Sequence, residues 1–207
     1  MKDCCEIGPI QERQRRILMV VLWINAAMFI GEFGAGLLAH SSALLADSVD
    51  MLGDAIVYGF SLYVVARGAR WQARAALLKG AIMVAFGVGV LVEVTVKVSR
   101  GLTPAADLMT GVGVLALAAN VFCLWLLSRR KDDDVNMRSA WVCSRTDVVA
   151  NVGVLVAARA VALTGSAWPD IAIGLLIAGL FGSSAVRVIR GAKDELRLAE
   201  GPAWRHV

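Results

Sequence analysis

At 207 residues, 58% of them hydrophobic, the chain is too apolar for a soluble domain, where about 45–50% is usual. Its net charge of +4 does not mark a nucleic-acid binder, because the basic residues gather at the ends of apolar runs. The length leaves room for about six membrane spans and their connections.

Residues 1–16 are polar, with Lys2, Arg13, Arg15 and Arg16. Span 1, residues 17–38, carries Asn25 and Glu32, and is too long for the apolar core of a cleaved leader. After a short connection at His40 comes span 2, residues 42–66. A basic connection holds Arg67, Arg70, Arg74 and Lys79. Span 3, residues 76–98, carries Glu93 and Lys97, and Pro104 precedes span 4, residues 108–127, with Asn120 and Cys123. The connection SRRKDDDVNMR leads to span 5, residues 139–163, with Cys143, Arg145, Asp147 and Asn151. A turn at 165–169 leads to span 6, residues 170–189, and a basic end follows.

Lys and Arg set the orientation. The N-terminal segment, the connections after spans 2 and 4, and the C-terminal end together hold 17 of the 21 basic residues. On the opposite side stand only Lys97 and Arg100. The expected fold is an all-α membrane protein, a six-helix transmembrane bundle with both termini cytoplasmic. Residues 1–16 form a cytoplasmic segment, 17–190 the transmembrane domain and 191–207 a short basic tail. Trp71, Trp125, Trp141 and Trp168 fall near span ends, as an interfacial belt requires. Cys4, Cys5, Cys123 and Cys143 suggest no disulfide framework.

Span 2 carries Asp47, Asp50 and Asp54. Steps of three and four return to one helix face, so the three form one acidic stripe roughly 10 Å long. Facing lipid, they would cost on the order of 10 kcal/mol. They are expected to face protein, water or a cation. Span 5 repeats the arrangement, with Cys143, Asp147 and Asn151 spaced by four. The depths of Asp54 and Asp147 differ by roughly 6 Å, so the two faces are expected to meet near mid-membrane.

SALLADSVDMLGD at span 2 and NMRSAWVCSRTDVVANVGVLVAA at span 5 resemble the cation diffusion facilitator family. The stretch from Asn25 to Glu32 and WPDIAIGLLIAG of span 6 fit the same family. The resemblance covers residues 17–189, strongly at spans 1, 2, 5 and 6 and weakly at spans 3 and 4. It implies a homodimer of six-span protomers in a bacterial cytoplasmic membrane, exporting divalent metal in exchange for protons. It places the family's transport site on Asp50, Asp54 and Asp147, with Cys143 where the family has histidine. Three oxygens and one sulfur suit tetrahedral Zn²⁺ or Cd²⁺. The thiolate favours softer ions, and the carboxylates favour Mn²⁺, Fe²⁺ or Co²⁺. Two arrangements stay open: Cys143 ligates, or three carboxylates bind with water. Many members continue into a ferredoxin-like cytoplasmic domain. With this chain ending first, the spans are expected to hold any dimer.

The transported metal is the one inorganic group expected; no cofactor and no enzyme activity are. Asp47 either guides ions or bonds a neighbouring span. Asn151 either touches the metal or its ligands, or joins helices, and Glu32 either borders the ion path or joins spans. Glu93 and Lys97, four apart, are expected to pair. Arg145 is expected to reach the inner interface. Asp132, Asp133 and Asp134 read as a solvated turn, with a cation funnel as the rival. Cys4 and Cys5 read as idle thiols or a soft-metal trap. His40 and His206 each stand alone. The small residues Gly174, Ala178 and Gly182 suit close packing inside the bundle. Two other classes compete. An intramembrane aspartyl protease needs one Asp on each of two spans, which three on span 2 and a cysteine on span 5 do not match. A non-transporting scaffold or metal-responsive partner subunit would bind no metal at mid-membrane.

Overall fold

The structure, a computed structural model, describes residues 12–63, 69–131 and 135–200. Cys4, Cys5, Asp132, Asp133, Asp134 and His206 lie outside the described residues, as does the side chain of Trp71. Six helices follow in order: α1 (Glu12–Ala39), α2 (Ser42–Tyr63), α3 (Ala69–Arg100), α4 (Ala106–Ser128), α5 (Val135–Thr164) and α6 (Trp168–Glu200).

Apolar runs of this length form helices because a backbone in lipid must satisfy its own N–H and C=O groups. Five stretches are long and apolar enough to cross a membrane: Arg15–Ala39, Ala76–Arg100, Ala106–Ser128, Ala140–Thr164 and Trp168–Lys193. The remaining helix, α2, has 22 residues and carries Asp47, Asp50 and Asp54 through its middle. The protein is thus a multi-pass, all-helical membrane protein among its described residues.

Left-handed residues close three of the helices. Beyond α1, His40 has φ 51°, and the Ser41 N–H reaches the Gly36 carbonyl at 2.9 Å. Gly101 (φ 63°) and Gly165 (φ 62°) end α3 and α5 in the same way. These turns share one end of the bundle, where the Ala105 N–H bonds the Ala39 carbonyl at 3.0 Å. For brevity it is called the α1–α2 end.

The helices pack chiefly as α1 with α2, α4 with α5 and α3 with α6. α2 touches α1, α3, α5 and α6, and every residue from 41 to 50 is buried. The other five helices all present large apolar side chains outward, such as Ile30, Val88, Leu115, Val156 and Leu176. Among the described residues α2 presents none. The helix that carries three carboxylates through its middle is therefore the one enclosed by the others, which removes the cost of facing those groups to lipid. Gly174 on α6 makes this possible at the α1–α2 end. A Cβ there would stand 2.7 Å from the Ser42 carbonyl carbon. Close packing inside the bundle thus accounts for Gly174, whereas Gly182 has open space around it.

Candidate metal-binding site

The first turn of α2 sets the position of the acidic stripe. A helix N-terminus leaves four backbone N–H groups without intrahelical partners, and here all four are satisfied. Ser42 N–H donates to Asp170 Oδ2 at 2.8 Å and Ala43 N–H to Asp170 Oδ1 at 3.2 Å. Leu44 N–H donates to Ser41 Oγ at 3.1 Å, and Ser41 N–H, at the N-cap, to the Gly36 carbonyl at 2.9 Å. Ser41 Oγ in turn donates to Asp170 Oδ1 at 2.6 Å. Asp170 belongs to α6, so one carboxylate caps a different helix and favours its positive end. Lys97 of α3 balances the charge, its Nζ donating to Asp170 Oδ2 at 2.5 Å and to Ser42 Oγ at 2.7 Å.

This corrects the expected pairing of Lys97 with Glu93. Lys97 turns inward to Asp170, while Glu93 sits 3.6 Å from His40. The physical reason is burial: a Lys side chain with no solvent contact needs a buried anion, and Asp170 is also buried. Asp170 went unnoticed as a polar residue in need of a partner. The signal was available: a carboxylate opening an apolar span, at the same membrane end as an isolated Lys, calls for an opposite charge.

Below this cap the acidic stripe of α2 faces α5 in an antiparallel register. Asp47 accepts a hydrogen bond from Asn151 Nδ2 at 2.9 Å. Asn151 Nδ2 also donates to the Asp147 carbonyl at 3.0 Å. One level further in, the Asp147 side chain is hydrogen-bonded to Asp50, with Asp54 and Asp47 as the next acidic neighbours. One level further again, Tyr58 Oη donates to Asp54 Oδ2 at 2.9 Å, and on α5 Cys143 lies one turn from Asp147. Asp50, Asp54 and Asp147 are all buried, and Cys143 is half-buried. The structure therefore brings together Asp47, Asp50, Asp54, Cys143, Asp147 and Asn151. Cys123 on α4 is buried in an apolar cluster with Leu18, Val21, Tyr58, Leu127 and Met137.

One member, Tyr58, is an addition to the set read from the sequence. Tyr58 lies one turn beyond Asp54, on the same face. Its hydroxyl is the donor nearest the stripe at that level. Glu32 approaches from α1, where it lies against Asp47 with Asp50 nearby. Two polar residues have local roles. Asn25 donates to its own helix at Val21 (2.9 Å), and Asn120 Nδ2 lies 3.8 Å from Met51 Sδ. Arg145 is exposed on the opposite side of α5 from Cys143 and Asp147.

Among the described residues no three His, Cys, Asp or Glu side chains are gathered closely enough to hold an ion. The side chains share one interface and one register but do not converge on a point. Oxygen donors dominate, with the Cys143 thiol beside them, and both are ligand types that divalent transition metals accept.

Carboxylates buried on facing helices of a membrane bundle mark a candidate functional site, because their cost in an apolar setting is otherwise unexplained. A family model, the cation efflux transmembrane domain, matches residues 18–196. The chain belongs to the cation efflux family, a family of transporters rather than enzymes. Among curated proteins it is similar to the cation efflux system protein CzcD of Alcaligenes sp. (strain CT14), 25% identical over 205 residues, covering 89% of this chain and 65% of that protein. It is 27% identical over 199 residues to the zinc transporter ZitB of Escherichia coli (strain K12), covering 90% of this chain and 64% of ZitB. A cadmium, cobalt and zinc/H(+)-K(+) antiporter of Bacillus velezensis is 25% identical over 200 residues, covering 89% of this chain and 63% of that protein. The chain thus spans less than two thirds of the length of these relatives.

Proposed function

We propose that this protein exports divalent transition-metal cations across the bacterial cytoplasmic membrane in exchange for protons, by alternating access. The observation that carries the proposal is the register of α2 against α5, which joins Asn151 to Asp47 and sets Asp50 beside Asp147. In this reading Asp50, Asp54 and Asp147 bind the ion, and Cys143 supplies the fourth donor or yields its place to water. The names of the relatives support Zn²⁺, Cd²⁺ and Co²⁺ as substrates. The donor set admits Fe²⁺ and Mn²⁺ as well. The protein acts as a homodimer of six-span protomers, with the 1–16 segment and the 191–207 tail in the cytoplasm.

Protons compete for the same oxygens as the metal. A metal ligand must be deprotonated to bind, so loading an ion releases protons and protonation releases the ion. Two carboxyl groups within hydrogen-bond reach, such as Asp50 and Asp147, can hold a proton between them when no metal is bound. Binding the ion draws the carboxylates onto one point. Rocking of the helix pairs then turns the loaded site from one face of the membrane to the other.

The test is metal-driven proton flux in proteoliposomes. Asp54→Asn and Asp147→Asn each abolish the flux. Flux unchanged in both variants refutes the proposal. Peptide-bond cleavage lost on Asp147→Asn would instead mark a protease, and an absence of metal binding in the wild type would mark a scaffold.

A further inference from the structure

One group of buried polar atoms has no role in the ligand set above. Glu32 on α1 is fully buried, and its carboxylate oxygens meet no N–H or hydroxyl donor; the one group within hydrogen-bond reach is another carboxyl, that of Asp47. The side chain lies against Asp47, with Asp50 next nearest. Asp47 uses Oδ2 to accept from Asn151, while its Oδ1 meets no N–H or hydroxyl donor. Asn151 donates through Nδ2 to both Asp47 and the Asp147 carbonyl, which leaves its own Oδ1 buried and without a partner. Three helices thus turn unsatisfied acceptors towards one place and supply no donor for them.

Buried acceptors without donors are costly, and more so when charged. Helix-to-helix hydrogen bonding does not explain the group, because it would pair acceptors with donors. A neighbouring side-chain cation does not explain it either. Lys97, the one buried basic side chain among the described residues, is committed to Asp170 and Ser42. A single proton shared by Glu32 and Asp47 would leave the Asn151 oxygen unanswered. A cation answers all of them, and two carboxylates balance a double positive charge.

We propose that Glu32, Asp47 and Asn151 form a second, all-oxygen cation station. It takes the divalent ion between the Asp50, Asp54 and Asp147 site and the α1–α2 end of the bundle. Asp47 lies one turn nearer that end than Asp50, which fixes the order of the two stations. The identity of the ion rests on the proposed function; the existence of the station does not. Lacking sulfur, the station favours harder ions than a site containing Cys143 does.

The experiment uses the purified full chain in detergent, with Mn²⁺ as an oxygen-preferring probe read by electron paramagnetic resonance. Asp50→Asn, Asp54→Asn and Asp147→Asn together remove the transport carboxylates. This background is expected to retain Mn²⁺ binding, and adding Glu32→Gln weakens that binding by more than about tenfold. Asp47→Asn on the same background does likewise and serves if the Glu32 variant does not fold. If the triple variant itself does not fold, Asp147→Asn alone is the background. No Mn²⁺ binding in the background overturns the proposal. So does binding that neither Glu32→Gln nor Asp47→Asn changes, which would mean a shared proton suffices. Failure of the transport proposal would be seen separately, in vesicle flux that survives Asp54→Asn and Asp147→Asn.

Discussion

Lys97 Nζ lies 2.5 Å from Asp170 Oδ2, and neither side chain touches solvent. The pair links α3 to α6, and through the Ser42 and Ala43 N–H groups it links both to the start of α2. The depth of the acidic stripe is therefore set from outside its own helix. α2 cannot slide along α6 without exposing a buried carboxylate and a buried ammonium to the apolar interior.

Removing one partner of this pair leaves the other charge buried and unpaired, at a cost of about 3–5 kcal/mol. Lys97→Met is expected to lower the thermal unfolding midpoint in detergent sharply. The double variant Lys97→Met, Asp170→Asn recovers most of the loss, because an Asn oxygen still caps α2. A double variant no more stable than Lys97→Met would mean that the charge pairing contributes little.

Gly174→Ala places a Cβ 2.7 Å from the Ser42 carbonyl carbon and 2.9 Å from Ala43 N. Those atoms are backbone and cannot swing aside, so overpacking of about 1–3 kcal/mol is expected. Gly113→Ala meets only the end of the Leu155 side chain at 2.9 Å, which can rotate away. Unfolding measurements on the two variants should rank Gly174→Ala as the more damaging, with reduced metal flux because the first turn of α2 is displaced. Equal effects would show that α2 and α6 separate easily at this point.

Tyr58→Phe removes the hydroxyl that donates to Asp54 Oδ2 at 2.9 Å while keeping the ring. The expected loss of stability is about 1–3 kcal/mol, since it strands a buried acceptor. Under the proposed function the variant still moves metal, with a changed apparent affinity. Complete loss of flux in a folded Tyr58→Phe protein would give the phenol a direct part in transport.

Cys143→His exchanges the single sulfur donor for an imidazole. Imidazole suits Zn²⁺ and thiolate suits softer ions, so the variant should shift preference from Cd²⁺ towards Zn²⁺. Competition among Zn²⁺, Cd²⁺, Co²⁺, Fe²⁺ and Mn²⁺ in proteoliposomes measures this. An unaltered order of preference would mean that Cys143 does not touch the ion.

The helices themselves were legible because lipid leaves a backbone few choices. The expected start of span 2 at residue 42 coincides with that of α2, and Pro104 falls between helices; the turn expected at 165–169 is shorter, because α6 already begins at Trp168. α6 runs to Glu200, well beyond the apolar run that ends at residue 189. Hydropathy sees the lipid-facing length, whereas a helix carrying Arg187, Arg190 and Lys193 continues until something breaks it. The facing of α2 and α5 was legible too, because four-residue steps in both helices constrain which side chains share a face.

By itself the sequence determined the helices, the acidic stripe on α2 and its counterpart on α5, since helical periodicity and the cost of charge in lipid act locally along the chain. Only the tertiary structure decided that Lys97 turns from Glu93 to Asp170, that Asp170 caps α2 and that Glu32 meets Asp47. Those partners lie on different helices. Which residue meets which depends on the rotation and depth of each helix, and these are set by packing at contacts such as Gly174 against Ser42.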